Sequence, residues 1–578
     1  QARHQQCHAG LSFSYGHVGA TRVFLIVHYL VAVHDVQDIM PARIVTNRRR
    51  FATMITGQAT GRWTDRRGGR WNMPSSDHNL FSRFAERFPA STATVLLETP
   101  AGQRYSYADA LSASARLAHY LTDLGLEAGD RVTAQVSKSP ESLWLYLACL
   151  RAGMVYQPLN DAYLQAEMAY FIGDAEPSLI VCDPASQAII AGLPKKRDCP
   201  VLTLGTGGNG SLIEASRSCA PEFETTPRNR DDPAVLLYSS GTTGEPKGAM
   251  LTHGNLIANT ATLVDAWGFT PDDRLLHALP IFHAHGLFVA TGCALMSGAS
   301  MAFLPRFDTD TVVGQLPECT VMMGVPTYYG RLLQTPKFQH ETCRNMRLFI
   351  SGSAALLPET FKAFEQRSGH AILERYGMTE TLMNTSNPLD GERRPGTVGP
   401  PLPGVSVRVV DANDDGTPNG SVGNLQIRGP NVFAGYWRRP DRTAQEFTTD
   451  GWFRTGDQAT IDADGYVSIV GRSKDMIITG GLNVYPREVE QVIDQIDGVA
   501  ESAVVGISHP DFGEGVVAVV ATEADRELEE RAVIRTVREQ LADFKAPKRI
   551  VFVDQLPRNT MGKVEKAQLR EDLAKVFR

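Results

Sequence analysis

The chain has 578 residues, a formal net charge of −7 and 43% apolar residues, which is ample for several cores and excludes a basic nucleic-acid binder. Its eight cysteines include no C-x-x-C pair and no metal-ligand spacing, so neither a disulfide framework nor a zinc site is expected, and a reducing, cytoplasmic setting is. No membrane span is expected either, because the apolar run 23–33 is interrupted by His28 and is too short.

Residues 1–72 stand apart, with ten Arg, no Lys, five His and three acidic residues. They read as a non-native or disordered extension ahead of Met73. An Arg-rich transit peptide, implying the mitochondrial matrix, is the alternative. From Leu80 onward, short apolar runs alternate with helical stretches. Residues 132–136 read as a strand, and Ser139-Pro140-Glu141-Ser142 starts a helix with proline in its first turn. Residues 179–182 form a second buried strand, 234–237 feed a polar loop, and 346–350 lead into Ser351-Gly352-Ser353. Near the end, 486–490 open a helix and 501–506 read as a strand. This alternation predicts an α/β fold. A large N-terminal domain of βαβ-type, largely parallel sheets would span 73–473, with a small mobile α+β C-terminal lid over 474–578.

The polar loop is Tyr238-Ser239-Ser240-Gly241-Thr242-Thr243-Gly244-Glu245-Pro246-Lys247-Gly248, with five hydroxyls, three glycines and a lysine. Glycines let backbone N–H groups approach an anion, hydroxyls add donors, and Lys247 adds a point charge. A polyphosphate needs these groups. The lysine does not follow a G-x-x-x-x-G frame, so this is not a Walker A loop.

The stretch resembles the phosphate loop of the adenylate-forming superfamily, which includes acyl-CoA synthetases, luciferases and peptide-synthetase adenylation domains. Further stretches resemble that family's motifs in the family's order. They are Glu374-Arg375-Tyr376-Gly377-Met378-Thr379-Glu380, Gly451-Trp452-Phe453-Arg454-Thr455-Gly456-Asp457, Gly471-Arg472-Ser473-Lys474-Asp475, Gly480-Gly481-Leu482-Asn483-Val484-Tyr485-Pro486 and Pro557-Arg558-Asn559-Thr560-Met561-Gly562-Lys563. The resemblance covers roughly residues 73–578 and implies ATP-dependent activation of a carboxylic acid, followed by transfer to coenzyme A. Ser239, Ser240, Gly241, Thr242, Thr243, Gly244 and Lys247 would hold the ATP phosphates. Ser353 and Tyr376 would line the nucleotide, with Asp457 on the ribose and Arg472 assisting. Glu380 would hold Mg²⁺, and Thr379 would lie on the phosphate side. Lys563 would bridge the acid and the α-phosphate. Lys474 would be the hinge about which the lid rotates between the half-reactions, bringing Gly481 to the pantetheine tunnel; His283 would stand beside the acyl pocket.

The chemistry of the acid turns on residues 323–333, where relatives line the acyl pocket. A pocket for a fatty or aryl acid should be apolar, because an unpaired buried charge is costly. Arg331 breaks that rule, and a guanidinium fork matches a second carboxylate. Together with Gly324-Val325-Pro326-Thr327, Ser351-Gly352-Ser353 and Asn384-Thr385-Ser386-Asn387-Pro388, it resembles the malonyl-CoA synthetases. The resemblance implies malonate, with methylmalonate tolerated, since one methyl changes discrimination by only about 1–3 kcal/mol. A medium-chain or aryl acid:CoA ligase is the alternative. An amino-acid adenylating enzyme would want an acidic residue for the substrate ammonium, and 281–288 contain none. A non-catalytic relative would be expected to lack Lys563 or Glu380.

Overall fold

The structure is a computed structural model that describes residues 77–577 except 240–245, 480–481, 511, 525, 542 and 560–561. The expectations for 1–72, for Ser240, Gly241, Thr242, Thr243 and Gly244, and for Gly481 lie outside the described residues.

Two sheets carry the large domain. The seven-stranded sheet is built on parallel strands Arg131–Gln135, Val155–Pro158, Leu179–Cys182 and Val201–Thr203, with Pro233–Ser239 beside Val155–Pro158. Pro233–Ser239 then turns back on Lys247–Thr252 as an antiparallel hairpin in which Ser239 registers with Lys247. The eight-stranded sheet has a parallel centre of Val95–Glu98, Ser300–Phe303, Arg274–His277, Val321–Gly324, Leu348–Ser351 and Leu373–Met378. At its centre, Val321–Gly324 and Leu348–Ser351 are buried along their whole length, as strands covered on both faces must be.

The predicted helix start at Ser139 is present. Ser139 and Ser142 form a reciprocal capping box, and Pro140 occupies the first turn, where its missing N–H costs nothing. The expectation of largely parallel sheets fails for residues 406–472. Ser406–Val410, Gly423–Arg428, Phe453–Ile461 and Val467–Arg472 form a four-stranded antiparallel sheet, in which neighbouring strands run in opposite directions even across the long link that carries helix Pro440–Glu446.

The C-terminal sheet is sealed on both faces. Along Gly513–Thr522, Val516, Ala518 and Val520 pack against Val489 and Ile493 of helix Pro486–Ile493 and Val533 and Val537 of helix Glu530–Gln540. The alternate residues Val517, Val519 and Ala521 pack against Leu556 and Leu569. The period of two along an extended strand produces this split. Among the described residues no helix is long and apolar enough to cross a membrane.

Candidate active site

Ser239, the turn after Leu373–Met378, the Asp457–Arg472 strand pair and the Lys563 loop converge. Ser239, at the end of strand Pro233–Ser239, donates its hydroxyl to Glu380 Oε1 at 2.7 Å, and Tyr436 donates to the same oxygen at 3.0 Å. Glu380 is buried, and among the described residues nothing donates to its other oxygen. Lys247, on the returning strand, is 3.4 Å from Glu446 and lies 4.8 Å from the Tyr436 ring centre. A tight reversal holds Glu380 there. A Cβ on Gly377 would come within 2.0 Å of the Leu382 carbonyl, and Leu382 takes a φ of 51°, so only glycine fits opposite it. Thr379 is half-buried in the same turn.

Asp457 and Arg472 are cross-strand partners, with Arg472 Nε 3.2 Å from Asp457 Oδ1. Tyr376 donates its hydroxyl to Asp457 Oδ2 at 2.5 Å. Burial raises the Asp457 pKa against the pull of Arg472. The result is a rigid, charge-balanced carboxylate able to accept sugar hydroxyls.

Lys563 is presented by a loop that closes on itself, its N–H donating to Asn559 Oδ1 at 3.0 Å and its carbonyl accepting from Asn559 N at 2.9 Å. Before it, Gly562 takes a φ of 73° and faces Thr327, whose hydroxyl would be 3.5 Å from a Cβ there. The ammonium is open to solvent yet enclosed by protein. Its pKa is lowered first by that burial and then by Arg472, with Asp457 and Glu380 pulling the other way and Arg375 reinforcing the fall. One lysine thus feels both the nucleotide-side carboxylates and the acyl-side cations.

The acyl side holds a concentration of buried polar atoms that lack hydrogen-bond partners among the described residues: His283 Nε2, His285 Nε2, Ser351 Oγ, and Arg375 Nε and Nη2. His285 Nδ1 lies 3.3 Å from Ser353 Oγ, on a serine forced to a φ of 72°. Burial, with Lys563 nearby, depresses His283 to about 3; burial and Arg375 keep His285 neutral as well. Arg375 is 3% exposed, and burial pushes it down to about 10. Its guanidinium fits only because residue 352 is glycine; a Cβ there would be 2.3 Å from Cζ.

Arg331 sits elsewhere than expected for the carboxylate receptor. It lies in the last turn of helix Pro326–Gln334 and is exposed. It has no hydrogen bond or ion pair among the described residues. Lys474 is exposed in the turn Ser473–Asp475, and the following Asp475 is held by Arg570 at 2.7 Å. Arg375, His285 and Ser351 are candidate site residues that sequence reasoning did not single out. The available signal was a charged pair, Glu374-Arg375, following Leu373 in a strand whose first three residues are buried.

The sequence profile of AMP-binding enzymes matches residues 81–437, and that of the AMP-binding enzyme C-terminal domain matches 488–563. The chain belongs to the AMP-binding enzyme family. It is 33% identical over 520 residues to a malonate–CoA ligase of Arabidopsis thaliana, covering 82% of this chain and 85% of the relative. It is 35% identical over 485 residues to a sulfoacetate–CoA ligase of Cupriavidus necator, covering 82% and 94%. The crystal structure of ATP-bound MatB from Rhodopseudomonas palustris superposes with a TM-score of 0.85 at 52% identity, covering 87% of this chain and all of that one. Within the family the chain is an acid:CoA ligase, for which ATP and CoA are substrates.

Proposed function

We propose that this ligase joins malonate to coenzyme A, tolerating methylmalonate, through a malonyl-adenylate. The observation that carries the reading is Arg375. Its unpartnered Nε and Nη2 form one edge of the guanidinium, two parallel donors matched to a carboxylate. A buried cation without a counter-charge is unfavourable, and a substrate bearing a second anion removes that penalty. An aliphatic or aryl monocarboxylate would leave it in place. The named relatives acting on malonate and sulfoacetate fit this demand, since both acids carry two anionic groups.

The reacting carboxylate attacks the α-phosphorus and pyrophosphate leaves. Lys563, positioned between the two sides, neutralises the approaching anions. The ATP phosphates would lie along Ser239, Lys247 and the polar loop between them, Ser353 and Tyr376 would line the nucleotide, and Asp457 with Arg472 would take the ribose. Glu380, buried with one oxygen undonated, is the residue that would hold Mg²⁺, which prefers few protein ligands and supplies charge neutralisation to the phosphates. In the second half-reaction the thiolate of CoA attacks the acyl carbonyl and AMP leaves. The domain 474–578 would rotate about Lys474 to bring Gly481 to the thiol path, with His283 at the pocket mouth. Arg331 is the secondary candidate for the distal carboxylate.

The test is acid-dependent AMP release with CoA, comparing malonate, methylmalonate, acetate, octanoate and 4-coumarate. Strong preference for malonate is expected. Preference for a monocarboxylate would overturn the assignment and leave Arg375 a structural group.

A further inference from the structure

A buried ammonium joins the two large sheets. Lys138, in the turn before helix Pro140–Arg151, places Nζ 2.7 Å from the His277 carbonyl oxygen, 2.9 Å from that of Leu279 and 3.0 Å from His277 Nδ1. Its three protons have three acceptors, none of them a carboxylate, and the Phe303 ring centre lies 4.3 Å away. On the far side of the imidazole, Nε2 is 3.0 Å from both Gly286 O and Thr291 Oγ1, and the Thr291 hydroxyl donates to Gly286 O at 3.0 Å. A lysine donating to Nδ1 fixes the tautomer, so that Nε2–H donates onward.

Leu279 and Gly286 are the two ends of the loop that carries His283 and His285. Those ends are pressed together, since a Cβ on Gly286 would be 1.8 Å from the Pro280 carbonyl. Beyond them His285–Ala290 winds as a π-helix, a form that rarely persists without support. As core filler a lysine is a poor choice, because an apolar side chain would occupy the volume without desolvating an amine. Burial holds its pKa well below the usual lysine range.

We propose that Lys138, His277 and Thr291 are positioning residues, a fastener that runs from the phosphate-hairpin sheet to both ends of loop 279–286 and sets His283 and His285 in the acyl site. The inference rests on the proposed location of that site but not on the identity of the acid. The test is ATP–pyrophosphate exchange by Lys138→Met and Thr291→Val, with whichever acid of the panel the unmodified enzyme uses best. Failure of the malonate assignment therefore leaves it intact. Losing the fastener should raise the acid KM roughly tenfold in Lys138→Met and roughly threefold in Thr291→Val, with the ATP KM within about twofold of the parent. A folded Lys138→Met enzyme with unchanged acid KM overturns the proposal. Should that variant fail to fold, an unchanged acid KM in Thr291→Val overturns it.

Discussion

Replacing Arg375 by Met should separate stability from activity. The side chain is 3% exposed, with two nitrogens unpartnered among the described residues. Burial brings it down to about 10, which sets about 3 kcal/mol against the charged form in the folded chain. Methionine fills a similar shape without that penalty, so the ligand-free variant should be as stable as the parent or more so, by up to about 3 kcal/mol. Activity should move the other way. Two charge-assisted hydrogen bonds to the distal carboxylate represent about 3–5 kcal/mol, roughly two to four powers of ten in kcat/KM for malonate. Thermal unfolding with and without malonate, paired with AMP release, reads both quantities. The parent should gain stability from malonate and the variant should not, while propionate becomes the better substrate of the variant. A variant that is less stable yet keeps the parent's malonate KM would refute the reasoning, because Arg375 would then be a partnered structural group.

Arg331→Ala should cost less than Arg375→Met, within about 1 kcal/mol in malonate kcat/KM, since an exposed charge is solvated and screened; a larger loss would restore it as the principal receptor. Lys563→Ala should abolish ATP–pyrophosphate exchange yet still form thioester from supplied malonyl-adenylate; equal failure of both steps in a folded variant would exclude a role confined to adenylation. Asp174→Ala should raise the ATP KM and spare the acid KM, because Asp174 accepts from Tyr238 at 2.6 Å at the base of the phosphate hairpin; an unchanged ATP KM would show that the hairpin stands without it. Glu374 is raised by burial from 4.5 to about 7, so the folded chain holds its proton more tightly than the unfolded one and stability is lost as pH rises through that window. Glu374→Gln should therefore gain on the parent between about pH 4.5 and 7, reaching about 3 kcal/mol; a constant difference across that range would contradict the burial argument.

Much of this architecture was written locally. The Ser139 helix start and the strand at 179–182 rest on residues adjacent in sequence, and both are present. The motif residues Glu380, Asp457, Arg472 and Lys563 each sit in a tight turn or beside a cross-strand partner, and tertiary packing brings them together. The acyl receptor was not legible in that way. Arg331 drew attention as a cation in a pocket-lining segment, but helix Pro326–Gln334 leaves it exposed in its last turn. Arg375 lay inside a quoted motif, and its consequence arises from tertiary packing: it is buried against Gly352, and its Nε and Nη2, like His285 Nε2 and Ser351 Oγ, lack partners among the described residues. An unsatisfied donor is a property of tertiary packing, and no local pattern encodes it. The antiparallel sheet of 406–472 was missed for a related reason: apolar runs mark where strands lie, whereas their direction depends on which strands pair in the fold.

Among the described residues, the core of the C-terminal sheet, closed by helices on one face and by Leu556 and Leu569 on the other, draws only on residues 477–577. Its backbone amides along Val499–His509 and Gly513–Thr522 should accordingly exchange with deuterium as one cooperative unit, at a rate indifferent to whether nucleotide fills the large domain. Mutations that erode the interior of this block should lower the yield of folded protein without altering which acid the enzyme selects.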